Sequence, residues 1–183
     1  MDSAMHPEPS EETLTDELTG LYNRDHFSRT LSEELRRLES SKKHLSLFIA
    51  DIDRLKDVND AHGRTAGDET LGKIAHLIKS NLKSSDDVFR YAGDQFAVIL
   101  LDTDSPSALK VAQRVADAVS GQVLDILGKP VTVTVSVGVA TFPEDGQDLA
   151  KLSEFAEKAL WARKKRGGNG VCGKSDVTED AVM

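Results

Sequence analysis

The sequence predicts an α+β fold within the broad α/β class, a ferredoxin-like β-α-β-β-α-β core whose mostly antiparallel central sheet is flanked by helices. Three observations predict it. Short apolar runs bounded by turn residues alternate with longer segments whose apolar residues recur at helical spacing. Two of the apolar runs are separated only by a tight turn, which predicts a hairpin. One further helix precedes this core and another follows it.

The predicted strands are short and end in polar residues. The run at 45–52 ends abruptly in carboxylates and is too short for a helix. Residues 87–91 and 95–102 form the predicted hairpin, with Asp94 at its turn, because Gly and Asp tolerate the backbone angles of a tight turn. Residues 131–142 alternate with period two and are predicted to form the last strand.

The predicted helices each carry one apolar stripe. The first two cover residues 25–40 and 67–82. The third begins with Ser105 as its N-cap and Pro106 at the first helical position, and Asp148 caps the last. These elements, in this order, complete the β-α-β-β-α-β plan.

Composition describes one domain. The chain has 183 residues, 39% of them hydrophobic, which is long enough to bury a core without a disulfide or a structural metal. We expect a flexible linker at 1–14, the folded domain at 15–171 and a flexible tail at 172–183. The single cysteine, Cys172, cannot form an intramolecular disulfide and indicates a reducing compartment.

The net charge and the hydropathy of the chain exclude some classes of binding partner. The formal net charge is −8, which disfavours nucleic-acid binding because such surfaces neutralise phosphates with Lys and Arg. No apolar run approaches the roughly 20 residues that a membrane span requires, and the polar N-terminus resembles no secretory signal. We therefore expect a soluble, cytoplasmic protein with neither a nucleic-acid nor a membrane partner.

Carboxylates cluster at one edge of the predicted sheet. The first and third strands lie side by side and antiparallel in this plan, so Asp51 and Asp53 meet Asp94 of the hairpin. Hard oxygen ligands at this density suit Mg²⁺ or Mn²⁺, as in palm domains, where metal ions activate a hydroxyl and stabilise the leaving pyrophosphate. The alternative is that Asp51 and Asp53 merely end a strand and Asp94 is an ordinary turn residue.

Two further polar groups lie near this edge in the sequence. Lys56 can meet a phosphate, whereas Asn59 and Asp68 offer edges that pair with a purine. Taken singly, each residue is better explained without a ligand, with Asn59 and Asp60 as a turn and Asp68 as a helix N-cap. The basic run at 163–166 complements the dipole of the last helix, and one of its residues could also reach a triphosphate.

Five motifs in order resemble those of the GGDEF domains, or diguanylate cyclases. They read DELTGLYNRDHF (16–27), FIADIDRLKDVND (48–60), AHGRTAGD (61–68), RYAGDQF (90–96) and ALWARKKRGGN (159–169). The resemblance covers Asp16 to about Val171. It implies the predicted fold, condensation of two GTP to cyclic di-GMP with release of two pyrophosphates, Mg²⁺ dependence, and a homodimer whose half-sites each hold one GTP.

The resemblance also implies roles for single residues. Asp51, Asp94 and the Ile52 carbonyl match metal ligands. Asp94, Gln95 and Lys56 occupy the family's catalytic positions. Asn59 and Asp68 occupy its guanine-binding positions, and Lys56 and Lys164 its phosphate-binding positions. Gly93 lets the hairpin backbone approach the nucleotide closely. A carboxylate at Asp68 favours guanine, because adenine lacks the N1–H and N2–H₂ donors.

The signature departs from the family pattern. It reads AGDQF, with Ala92 in place of Gly and Gln95 in place of Glu, so a negative charge beside the metal site is lost. Gly168 stands where the family usually has a phosphate-binding Arg, a loss that Arg166 could partly offset.

A second site of the family is degenerate in this chain. Its inhibitory RxxD motif corresponds here to Lys83 through Asp86. Lys lacks the bidentate fork that Arg presents to phosphate and guanine, so we expect weakened binding of the product at this position.

Three function classes remain open at this point. The first is a working diguanylate cyclase with reduced activity, because the metal carboxylates, the guanine-binding residues and both lysines are present. The second is a catalytically inactive GGDEF domain that serves as a GTP-binding or protein-interaction regulatory module. The third, an RNA-binding ferredoxin-like module, is opposed by the 5% aromatic content and the negative charge.

Overall fold

The computed structural model describes residues 14–177 and contains five helices and seven strands within them. The helices are α1 (Arg24–Leu38), α2 (Leu55–His62), α3 (Arg64–Ser80), α4 (Ser105–Ser120) and α5 (Leu149–Lys165). The strands are β1 (Leu45–Ile52), β2 (Asp87–Ala92), β3 (Gln95–Leu101), β4 (Leu124–Ile126), β5 (Lys129–Val131), β6 (Val135–Phe142) and β7 (Gly170–Cys172).

The central sheet has the order β2-β3-β1-β6-β7, and β4 pairs with β5 in a separate hairpin. All pairs in the central sheet are antiparallel except β6 with β7. The β-α-β-β-α-β core with its mostly antiparallel sheet is therefore confirmed. Strand β1 lies at the centre, where Asp51 faces Gln95 of β3 on one side and Ser136 of β6 on the other.

Helices cover both faces of the sheet, which explains why β1 reads as a continuous apolar run. Alternate β1 side chains enter two separate cores because successive residues of a strand point to opposite faces. Phe48 packs with residues of α3 and α4, such as Ile74 and Val115. Leu47 packs on the other face with residues of α1 and α5, such as Leu31 and Ala156.

Side-chain caps fix the starts of three helices. Asn23 accepts a hydrogen bond from the backbone N–H of His26 at α1. Asp148 caps α5 as predicted. At α4 the cap is Asp104 rather than Ser105, because the Asp104 carboxylate accepts from the Ser107 N–H at 2.9 Å, and the helix therefore begins one residue earlier relative to Pro106.

The structure corrects several predicted boundaries. Residues 55–62 form helix α2, which the sequence analysis did not predict, and α3 begins at Arg64, so Asp68 lies within a helix and is not its N-cap. The predicted strand 131–142 is interrupted at 132–134. The break separates Val131, which pairs with β4, from Val135, which pairs with β1, and within it the Thr134 hydroxyl donates to Asp53 and its carbonyl accepts from the Asp53 N–H.

The predicted C-terminal tail is wrong for residues 172–177. Cys172 is 1% exposed and lies in β7, which pairs with β6. A 3₁₀ helix follows at Lys174–Asp176, and the Arg166 guanidinium holds the Asp176 carboxylate at 2.8 Å. Three residues are too few to show a strand period in the sequence. Residues 178–183 and the predicted linker up to residue 13 lie outside the described part of the chain.

Across residues 14–177, none of the helices combines the length and the apolar character that crossing a bilayer would need.

Gly138 of β6 allows α5 to lie against the sheet. A Cβ at this position would lie 2.1 Å from the Ala156 carbonyl oxygen and 2.2 Å from the Leu160 amide nitrogen, both in the backbone of α5. We expect Gly138→Ala to lower the free energy of unfolding by about 3 kcal/mol, because the backbone must move to admit the methyl group. Urea denaturation followed by circular dichroism measures this.

Gly72→Ala is the matched control. Its Cβ would meet no atom closer than 4.0 Å, and Gly within a helix costs about 0.5–1 kcal/mol relative to Ala. We expect this variant to be as stable as the parent or more stable. Equal unfolding midpoints for the two variants would contradict the close approach of α5.

Candidate functional site at the end of the central strand

The end of β1 and the β2–β3 hairpin meet at one edge of the sheet. Asp51 is the register partner of Gln95, and the Ile52 N–H donates to the Asp94 carbonyl at 3.2 Å. The Arg90 guanidinium donates to the Gly93 carbonyl, with Nε at 2.8 Å, and so ties strand β2 to the turn. The structure therefore brings Asp51 and Asp94 together as the fold plan predicted.

Asp53 lies at the same edge as Asp51, since both carboxylates contact the Lys164 ammonium, but its own oxygens are held by the protein. It follows the last residue of β1, and its carboxylate accepts hydrogen bonds from Thr134 Oγ1 at 2.6 Å, from Ser136 Oγ at 2.7 Å and from the Asn169 N–H at 2.9 Å. Burial disfavours the ionised carboxylate, but these bonds outweigh it and lower the pKa of Asp53. Its oxygens are engaged within the protein.

The three partners of Asp53 were not predicted as site residues. Thr134 and Ser136 appeared only as the polar positions of an alternating strand, and Asn169 only as part of a Gly-rich motif. The alternation of hydroxyl residues with valines at 131–137 was the one available signal, since it places Thr134 and Ser136 on the same face.

Lys164 of α5 reaches the same edge. Its ammonium contacts Asp51 Oδ1 and lies 3.0 Å from Asp53 Oδ1. Burial favours the neutral amine, but hydrogen bonds to the two carboxylates raise the pKa of Lys164. Gln95 donates from Nε2 to Asp51 Oδ2 at 3.0 Å, so both oxygens of Asp51 have a partner.

Asp94 is the carboxylate in an unfavourable environment. Its pKa is raised, first by burial and then by the negative charge of Asp51. Arg90 and Lys164 oppose this shift but do not overcome it. Two neighbouring carboxylates, one of which resists ionisation, form the electrostatic arrangement that a cation relieves.

The donor set fits a hard divalent cation. Asp51, Asp94 and the Ile52 carbonyl supply oxygen ligands, and Mg²⁺ commonly uses one or two protein carboxylates and completes its coordination with water and phosphate oxygens. In residues 14–177 no three His, Cys, Asp or Glu side chains are arranged to hold a metal, so the proposed protein ligands are two carboxylates and one backbone carbonyl.

The predicted purine-binding residues lie on the helix pair that follows β1. Lys56 is exposed in the first turn of α2, and Asn59 lies one turn later. The Asn59 Oδ1 atom is buried and has no hydrogen-bond partner within residues 14–177. A Cβ at Gly67 of α3 would lie 1.8 Å from this oxygen, so Gly67 makes the space for Asn59, and Asp68 follows Gly67 in the same helix.

The departures from the family signature have distinct structural consequences. Ala92 is not among the residues with positive φ, so its methyl group is tolerated, and a Cβ at Gly93 would meet no protein atom within 4 Å. Gly168 has φ +74°, and a Cβ there would lie 3.0 Å from the Asp53 carboxylate. The Arg166 guanidinium is paired with Asp176 in this structure, and the suggestion that it partly offsets the missing phosphate contact stays a prediction.

Lys83 and Asp86 form one tight turn between α3 and β2. The Lys83 N–H donates to the Asp86 carboxylate at 2.9 Å, and the Asp86 N–H donates to the Lys83 carbonyl at 3.0 Å. The carboxylate is thus occupied by its own turn. The expectation of a weakened product-binding position stays a prediction.

The raised pKa of Asp94 predicts a pH-dependent stability. Because the folded protein holds the Asp94 proton more tightly than the unfolded chain, this residue's contribution to stability is greatest below the ordinary pKa of 3.8 and falls as pH rises through the folded-state value. We expect Asp94→Asn to raise the Tm of the metal-free protein by about 1–3 °C at pH 7.5 and to change it little at pH 3.5. Differential scanning calorimetry measures both.

Asp125→Asn is the matched control, because Asp125 is an exposed carboxylate in β4. We expect it to leave the Tm at pH 7.5 within about 1 °C of the parent. A lower Tm for Asp94→Asn than for Asp125→Asn at pH 7.5 would show that ionised Asp94 is not destabilising.

Comparisons with known proteins agree with this geometry. The family model described as "Diguanylate cyclase, GGDEF domain" matches residues 13–170. Diguanylate cyclase A of Treponema denticola is 37% identical over 164 residues, which are 88% of this chain and 44% of that protein. This chain therefore spans less than half the length of that relative.

Two solved structures share the fold. The GGDEF domain of TpbB (YfiN) from Pseudomonas aeruginosa superposes with a TM-score of 0.84 at 31% identity, covering 91% of this chain and 96% of that one. The GGDEF domain of DgcB from Caulobacter crescentus, solved in complex with c-di-GMP, gives a TM-score of 0.82 at 27% identity over 92% and 98%. With the family model matched over nearly all the described residues, this chain belongs to the GGDEF, or diguanylate cyclase, family.

Proposed function

We propose that this domain is a diguanylate cyclase that condenses two GTP molecules to cyclic di-GMP with release of two pyrophosphates. The observation that carries the proposal is the convergence of Asp51 and Asp94 with Lys164 at one edge, in a chain of this family. Two copies of the domain face each other during the reaction, since each GTP 3′-hydroxyl attacks the α-phosphate of the other. The association is transient, and the domain works in the cytoplasm.

The residues divide the work by chemistry. Asp51, Asp94 and the Ile52 carbonyl hold Mg²⁺ or Mn²⁺, which when bound supplies positive charge that favours the 3′-oxyanion and the departing pyrophosphate. Lys164 and exposed Lys56 bind phosphate oxygens. In each half-reaction a 3′-oxygen to phosphorus bond forms, pyrophosphate leaves with the electron pair of the broken phosphorus–oxygen bond, and the hydroxyl proton passes to water.

Guanine recognition uses the α2–α3 pair. Asn59 Oδ1 is buried and unpaired against Gly67, and it accepts a hydrogen bond from a guanine N–H once the side chain turns outward, which removes the cost of burying it unpaired. The Asp68 carboxylate accepts from guanine N1–H and N2–H₂. Adenine offers no donor in those positions, so the pair selects GTP over ATP.

Gln95 reduces the rate of this enzyme. A Glu at this position would add negative charge beside the metal ligands, whereas the Gln95 amide donates a hydrogen bond to Asp51 and competes for one of its oxygens. The same bond supports a second candidate, a GTP-binding regulatory module without turnover. That candidate also draws support from Gly168, which stands in place of the family's phosphate-binding Arg, while the Arg166 guanidinium is paired with Asp176.

The test is formation of cyclic di-GMP from GTP and Mg²⁺, followed by chromatography. We expect slow product formation by the parent, at least a tenfold faster rate for Gln95→Glu, and no product for Asp94→Ala, because electrostatic support at the reacting centre is worth factors of this size or more. Gln147→Glu, which adds the same charge at an exposed position beyond β6, controls for net charge. If the parent and Gln95→Glu both bind GTP but form no product, the cyclase is contradicted and the regulatory module is supported.

Gly67→Ala tests guanine recognition separately. The added methyl group must displace Asn59, because it would lie 1.8 Å from Oδ1. We expect about tenfold weaker GTP binding, measured by titration with a fluorescent GTP analogue. Gly72→Ala makes the same substitution in the same helix without a close contact and is expected to bind normally. Equal affinities for the two variants would remove Asn59 from the nucleotide site.

A further inference from the structure

Two donors occupy both carboxylate oxygens of Asp51. The Lys164 ammonium contacts Oδ1, and Gln95 Nε2 donates to Oδ2. The Asp51 side chain is only 14% exposed, so water has little access to either contact. Any metal ion that uses an oxygen of Asp51 must therefore share it with, or take it from, one of these two donors.

Asp53 holds Lys164 in this position. Its carboxylate is fixed by hydrogen bonds from Thr134, Ser136 and the Asn169 N–H, which belong to the approach to β6, to β6 itself and to the turn after α5. The Asp53 side chain is 11% exposed and lies 3.0 Å from the ammonium. A buried carboxylate with three other donors is a rigid anchor for a flexible lysine.

The balance of charge gives this contact its importance. Within residues 14–177, Lys164 is the one cationic side chain that forms an ion pair with Asp51 or Asp53. Arg90 of β2 is engaged by the Gly93 carbonyl and Asp16. The ammonium thus stands in direct contact with a carboxylate that the proposed function assigns to the metal.

We propose that Lys164, positioned by Asp53, is a built-in cation that closes the metal site of the metal-free domain, and that Gln95 closes the second oxygen of Asp51. The ammonium and a metal ion would compete for Asp51, so Lys164 would have to give up its contact with Asp51 when a metal is bound there. A triphosphate arriving with the metal offers the released ammonium a new anionic partner. The inference rests on the proposed function in one respect, the assignment of Asp51 as a metal ligand.

The test measures Mn²⁺ binding without nucleotide, by the electron paramagnetic resonance signal of free Mn²⁺. We expect Lys164→Met to bind Mn²⁺ about tenfold more tightly than the parent, because a positive charge in contact with the ligand is removed. Lys165→Met loses the same charge one residue away, where the ammonium lies 4.8 Å from the centre of the Trp161 ring, and is expected to stay within about twofold of the parent.

Gln95→Ala provides a second and independent variant. It removes a neutral donor from Asp51 without adding charge, and we expect about threefold tighter Mn²⁺ binding. If Lys164→Met fails to fold, the Mn²⁺ affinity of Gln95→Ala tests the proposal instead. An affinity equal to that of the parent overturns it.

Thermal unfolding supplies a further readout. Without metal, Lys164→Met is expected to melt below the parent, because Asp51 and Asp53 lose their counterion. Saturating Mn²⁺ is then expected to raise its Tm more than that of the parent, in proportion to the tighter binding. A folded Lys164→Met with the Mn²⁺ affinity of Lys165→Met overturns the proposal. Tighter binding without cyclic di-GMP formation by the parent would sustain it while contradicting the cyclase.

Discussion

The contact of the Lys164 ammonium with Asp51 and Asp53 joins the last long helix to the end of the central strand, and the site is arranged around it. Burying carboxylates at one sheet edge is costly unless positive charge or hydrogen-bond donors compensate them. Hydrogen bonds from Thr134 and Ser136 compensate Asp53, and the Lys164 ammonium compensates Asp51. The compensation at Asp94 does not offset its burial, and its pKa is raised.

Backbone packing makes the ion pair possible. Lysine can reach Asp51 only if α5 lies close against the sheet, and Gly138 of β6 permits an approach that any side chain would block. Gly67 also permits a close approach, on the opposite side of the sheet, where the absence of its side chain leaves space for Asn59 between α2 and α3. In both places the absence of a Cβ sets the distance between elements that carry polar functional groups.

Most of the fold could be predicted from local patterns. The spacing of apolar residues predicted α1, α3, α4, α5 and the four long strands. Each of these helices buries one apolar stripe, and each strand buries an apolar run. Helix α2 was missed because its eight residues are mostly polar, and only Leu55 and Val58 are buried. The short strands β4, β5 and β7 were missed because three residues cannot display a period, and their position depends on neighbours distant in sequence.

The sequence by itself determined the residue types at the site and the order of the elements that carry them, because strand and helix periods are local properties of the chain. It placed Asp51 and Asp94 at a common edge through the topology of the sheet. Only the tertiary structure decided which partner each polar side chain contacts, since such contacts depend on how the elements pack. Asp53 accepts hydrogen bonds from Thr134 and Ser136. Arg166 forms an ion pair with Asp176, and Lys164 forms one with Asp51.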